Sequence, residues 1–346
     1  MDKNVLVTIG IPVYNAATYI EKCVVSVLNQ TMSNIELLIV DDKGTDNSIQ
    51  IIKDIVCRYP NGSIIRIVEH SYNMGVAHAR NTIVHEAKGK YLFLMDSDDY
   101  LNPDSIEKLY NKAVEFDAET VWGSSIEIFS ENSKSKLHYG YPDLLLLGEN
   151  QLINYECKDL HENLQHSIWN ILYKMDFIRN NNLLFEQHGY FDDTIFHAKM
   201  QPLVRKAVLL SDITYNYYMR PTSLSNFQYR EHFQLKEATD AFEASEIIIK
   251  HCYTLRGKPY FDVKCAKVMK QAFFMICGIL KHQDKMDQPF PEMMVKKWFQ
   301  HPASFAEILG FKRYRATNFF FKIIGKLPAS LMVKIISIIG KKKHFI

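Results

Sequence analysis

Four continuous apolar runs, rich in β-branched side chains, dominate the first hundred residues: Val5–Val13, Ile35–Val40, Ile64–Val68 and Tyr91–Met95. Stretches with helical spacing of apolar residues separate them, over 17–30, 46–58, 75–88 and 104–116. A strand apolar on both faces needs cover on both faces, and a helix after every strand supplies it. The alternation predicts an α/β fold: a Rossmann-like, mostly parallel sheet with helices on both faces. A fifth strand is expected near Thr120–Phe129, and residues 130–150 read as a loop or a sheet edge. Asn102 followed by Pro103 reads as a helix N-cap with proline at the first helical position.

From about residue 229 the spacing is helical throughout, over 229–256, 260–283, 291–301 and 304–340, the last broken at Pro328. Arg256-Gly257-Lys258-Pro259 is a helix stop and turn. The expected organisation is an α/β domain over 1–225, a helical extension over 226–310 and a tail over 311–346. That tail carries nine Lys or Arg and no Asp or Glu, which leaves residues 1–310 with 32 basic and 39 acidic side chains. Bulky apolar residues, Phe319-Phe320-Phe321 and Ile335-Ile336 among them, alternate with the lysines. Two readings fit this composition. One is an amphipathic segment on an anionic membrane surface, and the other is helices packed on the body with a solvated basic face.

The formal net charge of +2 argues against a dedicated nucleic-acid binder. The six cysteines include no C-x-x-C pair and no zinc spacing, and scattered thiols suit a reducing cytosol. No apolar run is long enough for a membrane-spanning helix, and the N-terminus lacks a signal-peptide pattern. A cytoplasmic protein, held peripherally at the inner face of the membrane, is the expectation.

The residues just after each strand carry the chemistry. Tyr14-Asn15 comes after the first, Asp41-Asp42 after the second, Glu69-His70 after the third and Asp96-Ser97-Asp98-Asp99 after the fourth. Open parallel sheets bind ligands at the carboxyl ends of their strands. Carboxylates crowded there repel one another, and a hard divalent cation, Mn²⁺ or Mg²⁺, relieves the repulsion while holding substrate phosphates. Asp46 and Asp104 read equally well as helix caps. There is no G-x-x-x-x-G-K-[ST] for a P-loop, no G-x-G-x-x-G after the first strand and no G-x-S-x-G elbow. A strand ending in D-x-D also occurs in haloacid-dehalogenase-type phosphatases. There it lies on the first strand, whereas here it ends the fourth.

Thr8-Ile9-Gly10-Ile11-Pro12-Val13-Tyr14-Asn15 resembles the opening strand of family 2 glycosyltransferases with the GT-A fold. Val40–Asp46, Asn73–Asn81 and Leu94–Asp99 resemble that family's next three motifs, the last being its DXD motif. Weaker similarity continues through Trp169–Tyr173, Phe191–Phe196 and Tyr217–Ser223. The resemblance implies a metal-dependent, inverting hexosyl transfer from a nucleotide sugar, expected to be a UDP-sugar, to a hydroxyl of a glycan or lipid-linked acceptor. Synthesis of a surface polysaccharide is the expected setting. By the same resemblance Asp41 meets the base beside Pro12 and Tyr14. Asn15, Asp42 and Arg80 lie near the nucleotide, Asp96 faces the ribose or the metal, and Asp98 ligates the metal. Asp193 is the general base, with Asp192 its neighbour in the acidic motif, and Trp169 and Arg220 are acceptor-side candidates. Lys43 stands where the family usually has a small residue, and Asp192 where it usually has Glu. The alternative from another class is a non-catalytic sugar-nucleotide-binding scaffold, from which intact Asp98 and Asp193 would distinguish an enzyme.

Overall fold

The computed structural model describes residues 5–129, 135–188, 191–220, 232 and 234–345. It divides into two compact units. The first comprises Met1–Leu152, Leu164–Gln187 and Met200–Ser223, and the second comprises Ile153–Asn163, His188–Lys199 and Leu224–Ile346.

Among the described residues the first unit is built on a ten-stranded sheet. Its strands are β1 (Val7–Val13), β2 (Ile35–Asp41), β3 (Ile65–Glu69), β4 (Tyr91–Leu94), β5 (Tyr100–Leu101), β6 (Thr120–Ile128), β7 (Lys136–Tyr139), β8 (Leu144–Leu147), β9 (Ile171–Lys174) and β10 (Lys206–Tyr218). The spatial order is β3-β2-β1-β4-β9-β6-β10-β5, with β7 on β6 and β8 on β10. Helices α1 (Ile20–Leu28), α2 (Ser48–Arg58), α3 (Val76–Glu86) and α4 (Ser105–Glu115) follow β1, β2, β3 and β5. The five expected strands and four expected helices are present, and the segment at 130–150 supplies the edge strands β7 and β8.

The parallel register aligns the strand ends. Val13 pairs with Asp41 and Asp41 with Glu69, while Gly10 pairs with Leu94. The chain therefore leaves β1, β2, β3 and β4 at one edge, and their loops meet there. Under that edge lies an apolar core that includes Ile9, Ile11, Val24, Leu37, Ile52, Phe93 and Leu109, all fully buried.

Within the sheet β9 inserts antiparallel to both β4 and β6. One local reading is corrected. Helix α4 starts at Ser105 rather than Pro103. Asn102 is drawn away from a capping role: its side-chain amide donates to the Ile213 carbonyl (2.7 Å) and accepts from Asn216 (3.0 Å), fastening the loop to β10.

The second unit holds α7 (Asp192–Met200, all but its last residue), α8 (Leu235–Thr254), α9 (Phe261–Lys281), α10 (Glu292–Trp298), α11 (Phe305–Gly310), α12 (Arg315–Ile324) and α13 (Ala329–Lys342). Short helices α5 (Gln151–Glu156) and α6 (Met175–Asn180) complete the chain order. Residues 229–231 and 233 of the first expected helix lie outside the described residues. The helical stretch over 304–340, with its expected break at Pro328, is three helices, because it breaks again at 311–314. The second break arises from Arg313, whose backbone N–H (2.9 Å) and guanidinium (2.8 Å) both bind the Asp262 carboxylate, with Tyr314 left-handed at φ 51°. Phe321, Ile324, Met332 and Ile336 of the basic segment are buried in one cluster with Phe242, Met269, Val295 and Phe299. Among the described residues no helix is long and apolar enough to cross a membrane.

Candidate active site

The acidic edge starts from backbone turns that side chains hold in place. Asn15, left-handed at φ 50°, accepts the Thr45 N–H (2.7 Å) and the Asp46 N–H (3.3 Å) on its Oδ1. Asp46 and Ser48 accept the N–H groups of Ala17 (2.8 Å) and Ala16 (2.9 Å) in return. The loops after β1 and β2 are thereby laced together. A side chain at Gly44 would bring a Cβ within 2.8 Å of the Asn15 backbone nitrogen, so glycine is required there. Tyr14, just before this lacing, is half exposed.

Asp42 performs the equivalent task for the loop after β3. Its Oδ1 accepts the Met74 N–H (2.8 Å), its Oδ2 accepts the Gly75 N–H (2.9 Å), and the His70 Nδ1 lies 2.7 Å away. His70 Nε2 meets Thr82 Oγ1 at 2.9 Å, so the imidazole bridges the loop to α3. Asp41 is buried; its Oδ1 accepts the Lys43 N–H (2.8 Å) and its Oδ2 lies 3.5 Å from Lys43 Nζ.

After β4 the chain places Asp96, Asp98 and Asp99 with carboxylate oxygens within 4.8 Å of one another. Each has a different anchor. Arg80, buried on α3 with its guanidinium 5.6 Å from the Phe185 ring centroid, reaches Asp96 Oδ1 at 3.3 Å. Arg220 Nε lies 2.6 Å from Asp98 Oδ2, and its guanidinium lies over the Tyr19 ring at 5.3 Å. Asp99 is buried; its Oδ2 accepts from the Tyr215 hydroxyl (2.7 Å) and its Oδ1 from the Tyr218 N–H (2.8 Å). The Tyr215 hydroxyl also accepts the Asp96 N–H (3.2 Å).

Crowding shows in the protonation of the cluster. Burial, then the Asp96 charge, push the Asp98 carboxyl up to about 6, although Arg220 opposes the shift. Burial and both neighbouring aspartates raise Asp99 well above the ordinary carboxylate range. The donor set fits a hard divalent ion, since the three groups offer only carboxylate oxygens. Asp99 is committed to Tyr215 and Tyr218. Asp96 and Asp98 each retain a second oxygen beyond the arginine contact, so they are the pair suited to a cation.

Of the two acceptor-side expectations, the one for Trp169 needs correction. Trp169 is 4% exposed and stacks on Tyr215 (centroids 4.5 Å apart, planes 7° apart), with Tyr217 at 5.4 Å and 14°. It is a core residue supporting β10, not an open platform for a sugar. Arg220 belongs beside Asp98. Asp192, buried, and Asp193, half-buried, open α7 in the second unit. Pro221, Thr222 and Ser223 of the last similar segment lie outside the described residues. Tyr215 and Tyr19 escaped the sequence reading, which placed His70 after the third strand without giving it a role. Tyr215 reaches the cluster from 119 positions away from Asp96, and no local pattern announces such a bond.

A mixed sheet whose parallel strands end in laced loops and an acidic cluster, with a solved structure of like fold matching 93% of the chain, places the fold in the GT-A class. The chain belongs to glycosyl transferase family 2, whose model matches residues 8–186. It is 31% identical over 230 residues to glycosyltransferase GlyA of Streptococcus pneumoniae, covering 63% of this chain and 31% of GlyA. It thus spans about a third of that relative's length. The fold resembles S. aureus TarS 1-349, solved in complex with UDP-GlcNAc, with a TM-score of 0.65 and 16% identity over 93% of this chain and 90% of TarS. It also resembles a mannosyltransferase from Pyrobaculum calidifontis, solved with GDP-Man and Mn²⁺, with a TM-score of 0.51 and 13% identity over 96% and 86% of the two chains.

Proposed function

We propose that this protein transfers a hexose from a nucleotide-sugar donor, a UDP-sugar, to a hydroxyl of a glycan or lipid-linked acceptor, inverting the anomeric carbon. The observation that carries the reading is the convergence of Asp96 and Asp98, each with one arginine, at the carboxyl edge of the parallel strands. Asp41 accepts an N–H of the base beside Pro12 and the half-exposed Tyr14. Asn15 and Asp42 act on the nucleotide indirectly, by fixing the loops that surround it. Arg80 orients Asp96 and adds positive charge where the diphosphate lies. Asp96 and Asp98 hold Mn²⁺ or Mg²⁺, which when bound offsets the charge developing on the leaving diphosphate. Asp193 accepts the proton of the attacking hydroxyl, which is a weak nucleophile without a base.

The basic segment supports a membrane-held acceptor in surface-glycan synthesis. One face of α12 and α13 is buried, but Phe319, Phe320, Ile323, Leu331 and Ile338 are exposed among the lysines. That combination suits an anionic bilayer surface, the cytoplasmic face of the cell membrane.

Calorimetry with UDP tests the donor site. Binding should be much tighter with Mn²⁺ than with EDTA, and Asp98→Ala should erase the difference. Protons compete with the cation for a carboxylate whose pKa is raised. The metal-dependent part should therefore be complete above about pH 6 and decline as pH falls through that value. Equal UDP affinity with and without metal removes the proposed role of the cluster.

A further inference from the structure

Lys43 lies just past β2 with φ 56°, in the left-handed region that disfavours a Cβ. Its own N–H closes the turn onto Asp41 Oδ1 at 2.8 Å. The side chain then folds back across the strand ends. Nζ lies 2.9 Å from Glu69 Oε2, at the end of β3, and 3.5 Å from Asp41 Oδ2, at the end of β2. A third of the side chain remains exposed. An ion pair this exposed contributes little to stability. Glycine would adopt the same backbone without steric cost. Stability does not account for a lysine here, and strained residues retained at a binding edge are candidates for function.

We propose that Lys43 is a specificity-determining residue that reads the donor base together with Asp41. The inference rests on the proposed contact between Asp41 and the base. The two side chains set a carboxylate acceptor and an ammonium donor side by side, 3.5 Å apart. Uracil, thymine and guanine carry a ring N–H next to a carbonyl. The N–H donates to Asp41 and the carbonyl accepts from Lys43 Nζ. Cytosine and adenine carry, at the same edge, an unprotonated ring nitrogen next to an amino group. In that orientation a lone pair faces the carboxylate and N–H groups face the ammonium, and neither contact forms. Glu69 holds the ammonium at the edge of β3 and so keeps it beside Asp41 before the base arrives. The site selects an imide or lactam base by pairing charge with hydrogen-bond polarity, at a position where the backbone alone would favour glycine.

The test is isothermal calorimetry of UDP, CDP and inorganic pyrophosphate, all with Mn²⁺, on the full chain. Wild type, Lys43→Met and Lys43→Gly are compared, and thermal melts check folding. Lys43→Gly relieves the left-handed strain, so it should melt no lower than wild type. Wild type should prefer UDP over CDP. Both variants should lose about tenfold in UDP affinity, the scale of one hydrogen bond to a charged group. CDP and pyrophosphate should bind as before, so the UDP preference collapses. Equal weakening of all three ligands overturns the proposal, because Lys43 would then act on phosphate alone. Unchanged affinities overturn it too, leaving only a surface ion pair. If wild type binds pyrophosphate but gains nothing from either base, the reading of Asp41 itself fails, and with it the role of Lys43.

Discussion

Asp192 and Asp193 are adjacent at the start of α7, yet only Asp192 is fully buried. A base must exchange a proton with a substrate hydroxyl, which favours the more accessible of the two. Asp193→Asn keeps the size but removes the proton acceptor. Turnover should fall by roughly 10²-fold or more, while UDP affinity holds. Normal transfer by Asp193→Asn, with a dead but stably folded Asp192→Asn, would shift the base by one residue. The other residues of the edge divide by what their polar atoms already do. Asn15 and Asp42 spend theirs on backbone N–H groups, so their effect on a ligand passes through the loops. Asp96 and Asp98 face arginines and are the pair proposed to hold the cation. Sequence placed all four at strand ends; only the bonding pattern separates the groups that shape the loops from those proposed to bind.

Helix α12 is attached to the turn before α11 by one buried pair. Asn318 donates to the Asp262 carbonyl (2.9 Å), and its Oδ1 lies 2.9 Å from His301 Nε2. His301 Nδ1 accepts the Ala303 N–H (3.0 Å), which makes Nε2 the protonated nitrogen. Burial lowers the His301 pKa to about 4. In the unfolded chain it returns to about 6.5. The unfolded state binds the extra proton first, so stability is complete above about pH 6.5 and declines as pH falls toward 4. The full loss is about 3 kcal/mol for this group. Hydrogen exchange of the α12 amides should report it as protection that decays across that window. His301→Gln should flatten the pH dependence, and a profile as steep as wild type would show that another group causes it. The break at 311–314 belongs to this scale as well. Phe311-Lys312-Arg313-Tyr314 contains no glycine or proline, so periodicity ran through it. The Arg313–Asp262 bonds that make the turn join positions 51 apart.

For the whole molecule, the basic segment has two faces with different obligations. Removing residues 311–346 would take Phe321, Ile324, Met332 and Ile336 out of the second unit's core. Deleting them should cost several kcal/mol and unfold that unit, so truncation cannot isolate a membrane role. Point changes on the exposed face can. Phe320→Ser, Ile323→Ser and Leu331→Ser together should leave the melting temperature within a few degrees of wild type. They should also weaken co-sedimentation with phosphatidylserine vesicles. The remaining attraction, from lysines, should fade with salt, since each basic group near an anionic surface contributes about 1 kcal/mol that salt screens. Unchanged vesicle binding in the triple variant would assign those side chains to solvent-facing packing only.

The sequence by itself determined the α/β alternation, because apolar β-branched runs between amphipathic segments have few other ways to hide both strand faces. It also determined that acidic residues come after β2 and β4, since position after a strand is a matter of chain order. Tertiary structure alone decided the insertion of β9 between β4 and β6, the bond from Tyr215 to the aspartates, and the burial of Trp169. It also decided that one face of the basic segment belongs to a core. Each of these is a contact between residues far apart in the chain. Local spacing records which face of an element is apolar, but the partner that covers that face is chosen only when the elements pack.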